Sequence, residues 1–141
     1  LNYSGNLIDD FKVTFKDGKV SDYEAKIGQE ILKDLLDIDD GAKYLGEVAL
    51  VPYSSPISQS NTVFLNTLFD ENASCHFAFG KAYPTTIAGG ENMTEEELEK
   101  AGVNNSLTHE DFMVGSEDLS IIGETMAGEK IQIFKDGEWA V

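Results

Sequence analysis

The chain holds two histidines, and both stand near carboxylates: His76 follows Glu71 by five residues, and His109 opens the tripeptide His109-Glu110-Asp111. Side chains two apart on a strand leave the same face, so His109 and Asp111 can converge on one ion if their segment is extended. An imidazole paired with a carboxylate suits zinc, cobalt or manganese better than calcium. The plain alternative for His-x-Asp is a hydrogen-bonded surface pair. Glu47 lies within the apolar run Leu45-Gly-Glu-Val-Ala-Leu-Val51, where an unpaired ionised carboxylate would cost several kcal/mol or neutralise itself. A cation partner removes that cost. An edge strand that turns Glu47 toward water or a lysine would remove it too.

Cys75 precedes His76 directly, but neighbours in a strand face opposite ways, which argues against a Cys–His nucleophile pair. A lone cysteine also lacks the paired spacing of structural zinc sites, so Cys75 is expected to be a small buried residue. Tyr83 lies seven residues beyond His76 and would face away from it on an uninterrupted strand. Gly80, between them, can supply the bend that restores convergence.

These residues need elements to position them. Phe11 to Phe15 alternates apolar and polar side chains, Asp17-Gly18 offers a tight turn, and Lys19 to Ala25 resumes the alternation, which predicts a hairpin. From Lys26 the period changes: Ile27, Ile31, Leu35 and Ile38, with Leu32 and Leu36, predict a helix closed by Gly41. Tyr44 to Tyr53 reads as a buried strand stopped by Pro52, and His76 to Gly80 as another. Phe64 to Phe69 is ambiguous between helix and strand. Thr94 with Glu97 forms a capping box for a short helix. Leu107 to Val114 alternates again, and the tail from Leu119 reads as strands joined at Ala127-Gly128 and Asp136-Gly137. Phe-Lys-Asp-Gly occurs at both Phe15 to Gly18 and Phe134 to Gly137, which predicts two turns of the same chemistry and not a repeat. The order implies an α+β fold: a mixed, mostly antiparallel sheet with hairpins and two or so helices packed against it, in a single domain spanning 1–141.

Composition narrows the function classes. With 26 acidic against 10 basic residues and no arginine, the net charge is −16. That disfavours nucleic acid and anionic membrane surfaces as partners, because both require clustered cations. Solubility alone would account for many of the acids, and a non-catalytic acidic binding or assembly module is the alternative function class. The lone cysteine excludes an internal disulfide, no apolar run suits a membrane span or a signal-peptide core, and a cytoplasmic location is expected. The chain opens on Leu1, as expected of an excised or processed piece.

The run Gly46-Glu47-Val-Ala-Leu-Val-Pro52, then Asn66 to His76, Ala78-x-Gly80-x-Ala-Tyr83 and Asn105-Ser-x-x-His109-x-Asp111-Phe-Met-Val-Gly115 closely resembles the aminopeptidase T and aminopeptidase S family of bacterial metal-dependent exopeptidases. The resemblance extends to Tyr3-Ser-Gly, Ile8-Asp-Asp, the Phe15 to Val20 hairpin and the tail. It implies a dinuclear centre of two divalent ions, zinc, cobalt or similar, bound by Glu47, His76, His109 and Asp111, with Glu71 a further ligand. Tyr83 matches the family's active-site tyrosine, and Glu47 has a catalytic as well as a ligand role. The implied reaction is removal of N-terminal residues from small peptides by metal-activated water. The family carries one more glutamate ligand, in a Glu-Val-Phe-Thr type motif that this chain lacks. The resemblance therefore implies the C-terminal metal-binding part of a longer two-domain enzyme, without its N-terminal domain, and a homodimer for the full-length protein.

Overall fold

The computed structural model describes all residues, 1–141. In chain order the elements are β1 (Asn2–Tyr3), β2 (Asn6–Leu7), β3 (Asp9–Lys16), β4 (Lys19–Ile27), α1 (Gln29–Leu36), β5 (Leu45–Ala49), α2 (Pro56–Gln59), α3 (Thr67–Asp70), β6 (His76–Gly80), α4 (Glu95–Lys100), β7 (His109–Met113), β8 (Ile121–Glu124), β9 (Lys130–Lys135) and β10 (Glu138–Trp139). Short 3₁₀ turns fill several connections. The strands form four small sheets, β1-β2, β3-β4, β5-β6-β7 and β10-β9-β8. This is the α+β class that the segment order implies.

The predicted hairpin is β3-β4, antiparallel with Val13 opposite Tyr23 and Phe11 opposite Ala25. Its turn puts both central residues at positive φ, Asp17 at 52° and Gly18 at 80°, the type I′ geometry that matches strand twist. Asp136 and Gly137 repeat it at 51° and 73° between β9 and β10. The repeated Phe-Lys-Asp-Gly phrase is thus one turn chemistry used twice.

The first helix is shorter than its periodicity predicts. Ile27 remains in β4 opposite Asp9, and Gly28, at φ 78°, turns the chain before α1 begins at Gln29. An added Cβ at Gly28 would lie 2.5 Å from the Leu7 carbonyl oxygen, so only glycine fits. At the other end Asp37, Asp39 and Asp40 follow directly. Aspartates are poor helix formers and oppose the negative C-terminal end of the helix dipole, so the helix stops at Leu36, and Gly41 opens a 3₁₀ turn through Lys43. The Thr94 capping box forms as predicted: Thr94 Oγ1 accepts from Glu97 N, and the Glu97 carboxylate accepts from Thr94 N at 2.7 Å. Phe64 to Phe69 is neither a strand nor one helix; its second half enters the single turn of α3, capped by Asn66.

The chain divides into two compact units, residues 1–48 with 77–111 and residues 49–76 with 112–141. In the first, Leu32, Leu35 and Leu36 of α1 are fully buried, as are Ile8, Ala42, Ala78 and Phe79. Phe15 stacks on Phe79 with ring centroids 6.4 Å apart. In the second, Phe134 is fully buried with Trp139 packed at 4.5 Å, and Cys75 and Phe112 are buried. Cys75 Sγ contacts both the amide and the carbonyl of Val51, at 3.2 and 3.3 Å. It is a packed structural thiol, as its isolation in the sequence suggests.

Within the first unit Asp39 ties the α1 end to the segment before β7. Its Oδ1 accepts from Ala42 N and Ser106 Oγ, both at 2.8 Å, and its Oδ2 accepts from Leu107 N at 2.7 Å. Chiefly the Leu107 N–H, against the opposing effect of burial and with help from Ser106 and Ala42, holds its carboxyl below the usual range. A depressed carboxylate adds stability above its unfolded value of about 3.9, and that contribution is lost as pH falls through the folded value. The unfolding free-energy gap between wild type and Asp39→Asn is therefore expected to be constant above about pH 5 and to close in stronger acid. Urea titrations across pH read it, and a gap undiminished at low pH would contradict the assignment.

Candidate metal centre

The predicted ligands fall on three adjacent strands. Glu47 is on β5, His76 begins β6, and His109 and Asp111 are on β7. Hydrogen bonds at the strand ends set their directions. Gly80 N donates to Tyr44 O at 2.8 Å and Lys81 N to Thr108 O at 2.7 Å, while Val114 N and Gly115 N donate to Cys75 O, both at 2.9 Å. The N-terminal end of β6 thus lies by the C-terminal end of β7, and its C-terminal end by the start of β5, so the neighbours run antiparallel.

Glu47, His76 and Asp111 each offer one ligand atom, and these atoms lie within 4.8 Å of one another. His109 reaches the same carboxylates: its Nε2 is 3.4 Å from Glu47 Oε2 and 3.6 Å from Asp111 Oδ1. His76 is buried, and the Asp111 side chain is only 6% exposed. The oxygen Asp111 Oδ1 is buried with no hydrogen-bond partner. An orphaned buried acceptor costs about 1–3 kcal/mol, and more when charged.

Both imidazoles are oriented by backbone carbonyls. His76 Nδ1 lies 3.0 Å from Ser74 O, and His109 Nδ1 lies 2.6 Å from Lys81 O. A carbonyl only accepts, so we assign the proton of each neutral ring to Nδ1, which leaves the Nε2 lone pair for a cation. Two such imidazoles with two carboxylates fit a borderline divalent ion such as zinc or cobalt.

Tyr83 lies just beyond Gly80, whose φ of 92° bends the chain at the end of β6. Its ring centroid is 4.9 Å from that of His109, and the residue is 47% exposed. Glu71 is half-buried at the start of the 3₁₀ turn Glu71–Ala73. It is not part of the Glu47, His76 and Asp111 group. Glu110 alternates to the other face of β7, where burial pushes its carboxyl above the usual range; the Asp111 charge adds to this and His109 opposes it.

Sequence reasoning did not single out the residues that hold this geometry. An added Cβ at Gly46 would lie 2.4 Å from both Gly80 O and Lys81 O. Gly46 thus lets β5 approach the carbonyl that orients His109. Gly46→Ala is expected to cost about 2 kcal/mol or more, because backbone atoms must shift. Thermal melts check this, and an unchanged melting temperature would mean that the strands relax freely. The position beside Glu47 in an apolar strand was the available signal, since glycine inside a strand marks close backbone approach.

A buried and a half-buried carboxylate thus face two carbonyl-oriented imidazoles on one antiparallel sheet, a donor set that fits a divalent cation. The family model described as thermophilic metalloprotease (M29) matches residues 1–139, and the chain belongs to that family. It is 61% identical over 140 residues to aminopeptidase 2 of Geobacillus stearothermophilus and 56% identical over 140 residues to aminopeptidase AmpS of Bacillus subtilis (strain 168), covering 99% of this chain each time. Among solved structures, wild-type AmpT from Thermus thermophilus superposes with a TM-score of 0.89 at 42% identity over 99% of this chain. The chain spans only about a third, 34%, of the length of each of these proteins.

Proposed function

We propose that this chain is the metal-binding part of an aminopeptidase that removes N-terminal residues from small peptides. The observation that carries the reading is the buried, unbonded Oδ1 of Asp111 beside His109 Nε2. Buried polar oxygens without a partner are uncommon in folded proteins, and a bound cation is one way to satisfy this one. Family membership and the relatives' names support the reading.

Glu47, His76, His109 and Asp111 would hold the ions, with Glu71 as a further ligand. Two ions bound there would supply Lewis-acid chemistry, polarising a peptide carbonyl and making water acidic enough to react near neutral pH. The residues do the rest. Ser74 O and Lys81 O engage the Nδ1 sides of the two imidazoles and so aim the rings. Glu47 and Asp111 would supply the anionic oxygens. Tyr83 has a phenol free to donate toward negative charge developing on a substrate carbonyl. A Glu71 carboxylate not tied to metal could carry a proton to the leaving amine. The cluster of carboxylates favours substrates with a free, cationic α-amine over blocked ones, which makes the activity an exopeptidase. In this reading a separate N-terminal domain carrying the family's additional glutamate would lie within the two-thirds of the relatives' length that this chain does not span, and would complete the site. The complete protein is proposed to be a cytoplasmic homodimer.

Calorimetric titration with zinc or cobalt tests this. Wild type is expected to bind stoichiometrically, His109→Ala to lose binding, and Glu47→Gln to weaken it about tenfold or more. Unchanged uptake in both variants would refute the site. Hydrolysis of leucyl-p-nitroanilide by this chain alone is expected to be weak, and strong turnover would show that the additional glutamate is dispensable.

A further inference from the structure

His109 is aimed by a carbonyl, and that carbonyl is itself held by a polar lattice within the first compact unit. Lys81, whose O accepts from His109 Nδ1, donates its own N–H to Thr108 O at 2.7 Å. The next residue, Ala82, donates its N–H to Asn104 O at 2.9 Å. The Asn104 side chain then bridges the carbonyl that opens the 3₁₀ turn and the one that ends β6: Nδ2 donates to Gly41 O at 2.8 Å and to Gly80 O at 2.6 Å. Asp39 closes the arrangement by accepting from Ser106 Oγ and Leu107 N, and Ser106 Oγ in turn accepts from Thr108 N at 3.2 Å.

Glycines allow these backbones to meet. An added Cβ at Gly41 would lie 1.9 Å from Asn105 O, and one at Gly80 would lie 2.2 Å from Thr108 O. One end of β6, the 3₁₀ turn after α1 and the segment leading into β7 are therefore locked together around Lys81. None of these groups belongs to the Glu47, His76 and Asp111 cluster. What they fix is the position of the Lys81 carbonyl relative to the start of β7, and hence which His109 nitrogen carries the proton and where the other one aims.

We propose that Asn104 and Asp39 are positioning residues for His109, acting through Lys81 O to hold the imidazole as the Nδ1–H tautomer with Nε2 toward Glu47 and Asp111. The consequence for metal affinity rests on the metal-site reading above; the tautomer claim does not. A carbonyl that moves out of hydrogen-bond range or alignment no longer selects one tautomer, and outer partners of ligating histidines typically contribute about 10–100-fold to metal affinity.

The chain has only two histidines, so nitrogen-15 histidine NMR of the metal-free protein resolves both rings. His76 is oriented separately by Ser74 O and serves as the internal control. Once the ring signals have stopped changing with rising pH, wild type should show both rings as Nδ1–H tautomers. In Asn104→Ala and Asp39→Asn the His109 signals should shift toward a tautomer mixture while those of His76 stay in place. Ser106→Ala, the mildest change, should move His109 in the same direction by less and keeps a folded variant in the series. Leu32→Ala, a core truncation that leaves these hydrogen bonds intact, should lower stability without altering either tautomer. Cobalt affinity should fall about tenfold in Asn104→Ala and Asp39→Asn. A His109 signature unchanged in every folded variant, or one that moves together with His76 or in Leu32→Ala, overturns the proposal. If wild type binds no cobalt while His109 still shifts, the positioning role stands and the metal-site reading falls.

Discussion

Asp111→Asn is expected to abolish high-affinity metal uptake, by about 100-fold or more, while making the metal-free chain more stable. The two effects have the same origin. Asp111 Oδ1 is buried without a hydrogen-bond partner, and the Asp111 side chain shares its surroundings with the Glu47 carboxylate. Without a cation, that arrangement combines an unsatisfied acceptor with like-charge repulsion, each unfavourable in a poorly hydrated place. An amide of the same shape removes one negative charge and supplies a donor that Glu47 can accept from. The gain is expected to be about 1 kcal/mol, or some 3–5 °C in melting temperature. The loss of affinity follows because the amide offers no anionic oxygen to a divalent ion. Chemical denaturation in the presence of a chelator measures the first effect, and calorimetry with cobalt measures the second. A stabilised variant that still binds cobalt would remove Asp111 from the ligand set. A destabilised one would mean that the carboxylate serves the fold.

Such a trade of stability for function is also why the site was partly legible in the sequence. Glu47 stood out because an acid inside Leu45-Gly-Glu-Val-Ala breaks the local hydrophobic rule, and rule-breaking positions concentrate at functional sites. His109 and Asp111 were readable from the strand period alone. The juxtaposition of β5, β6 and β7 was not, because pairing between segments some thirty residues apart leaves no local signature, and here the family resemblance supplied what periodicity could not. The boundary of α1 was missed for a different reason. Ile27 fits a helical stripe as well as a strand edge, and only the clash of an added Cβ at Gly28 with Leu7 O decides between them. Asp39 and Asn104 were invisible as functional candidates because Asp and Asn before a glycine or a turn read as ordinary loop chemistry. Their partners, Leu107, Gly41 and Gly80, lie far away in sequence and make their bonds mostly through the backbone.

Stoichiometric zinc or cobalt is expected to raise the melting temperature by more than about 10 °C, and a chelator to reverse the change. A ligand that binds only the folded state stabilises it by RT ln(1 + [L]/Kd), about 4 kcal/mol when the free ion is a thousand times above Kd. With a net charge of −16, any divalent cation relieves some self-repulsion, so a bare increase in stability would not identify a site. Concentration and ion type separate the two causes. Screening needs millimolar salt and is indifferent to softness, so magnesium, calcium and zinc should act alike. A centre containing two imidazoles responds at micromolar ion, prefers zinc or cobalt, and leaves magnesium and calcium with little effect. Its increment should also shrink in acid, because an imidazole must be deprotonated to bind. The same increment should vanish in His109→Ala, which leaves the net charge of the neutral-histidine chain at −16 and therefore leaves screening untouched. Equal stabilisation by magnesium and zinc, or an undiminished zinc effect in His109→Ala, would assign the acids to solubility and leave no metal centre to explain.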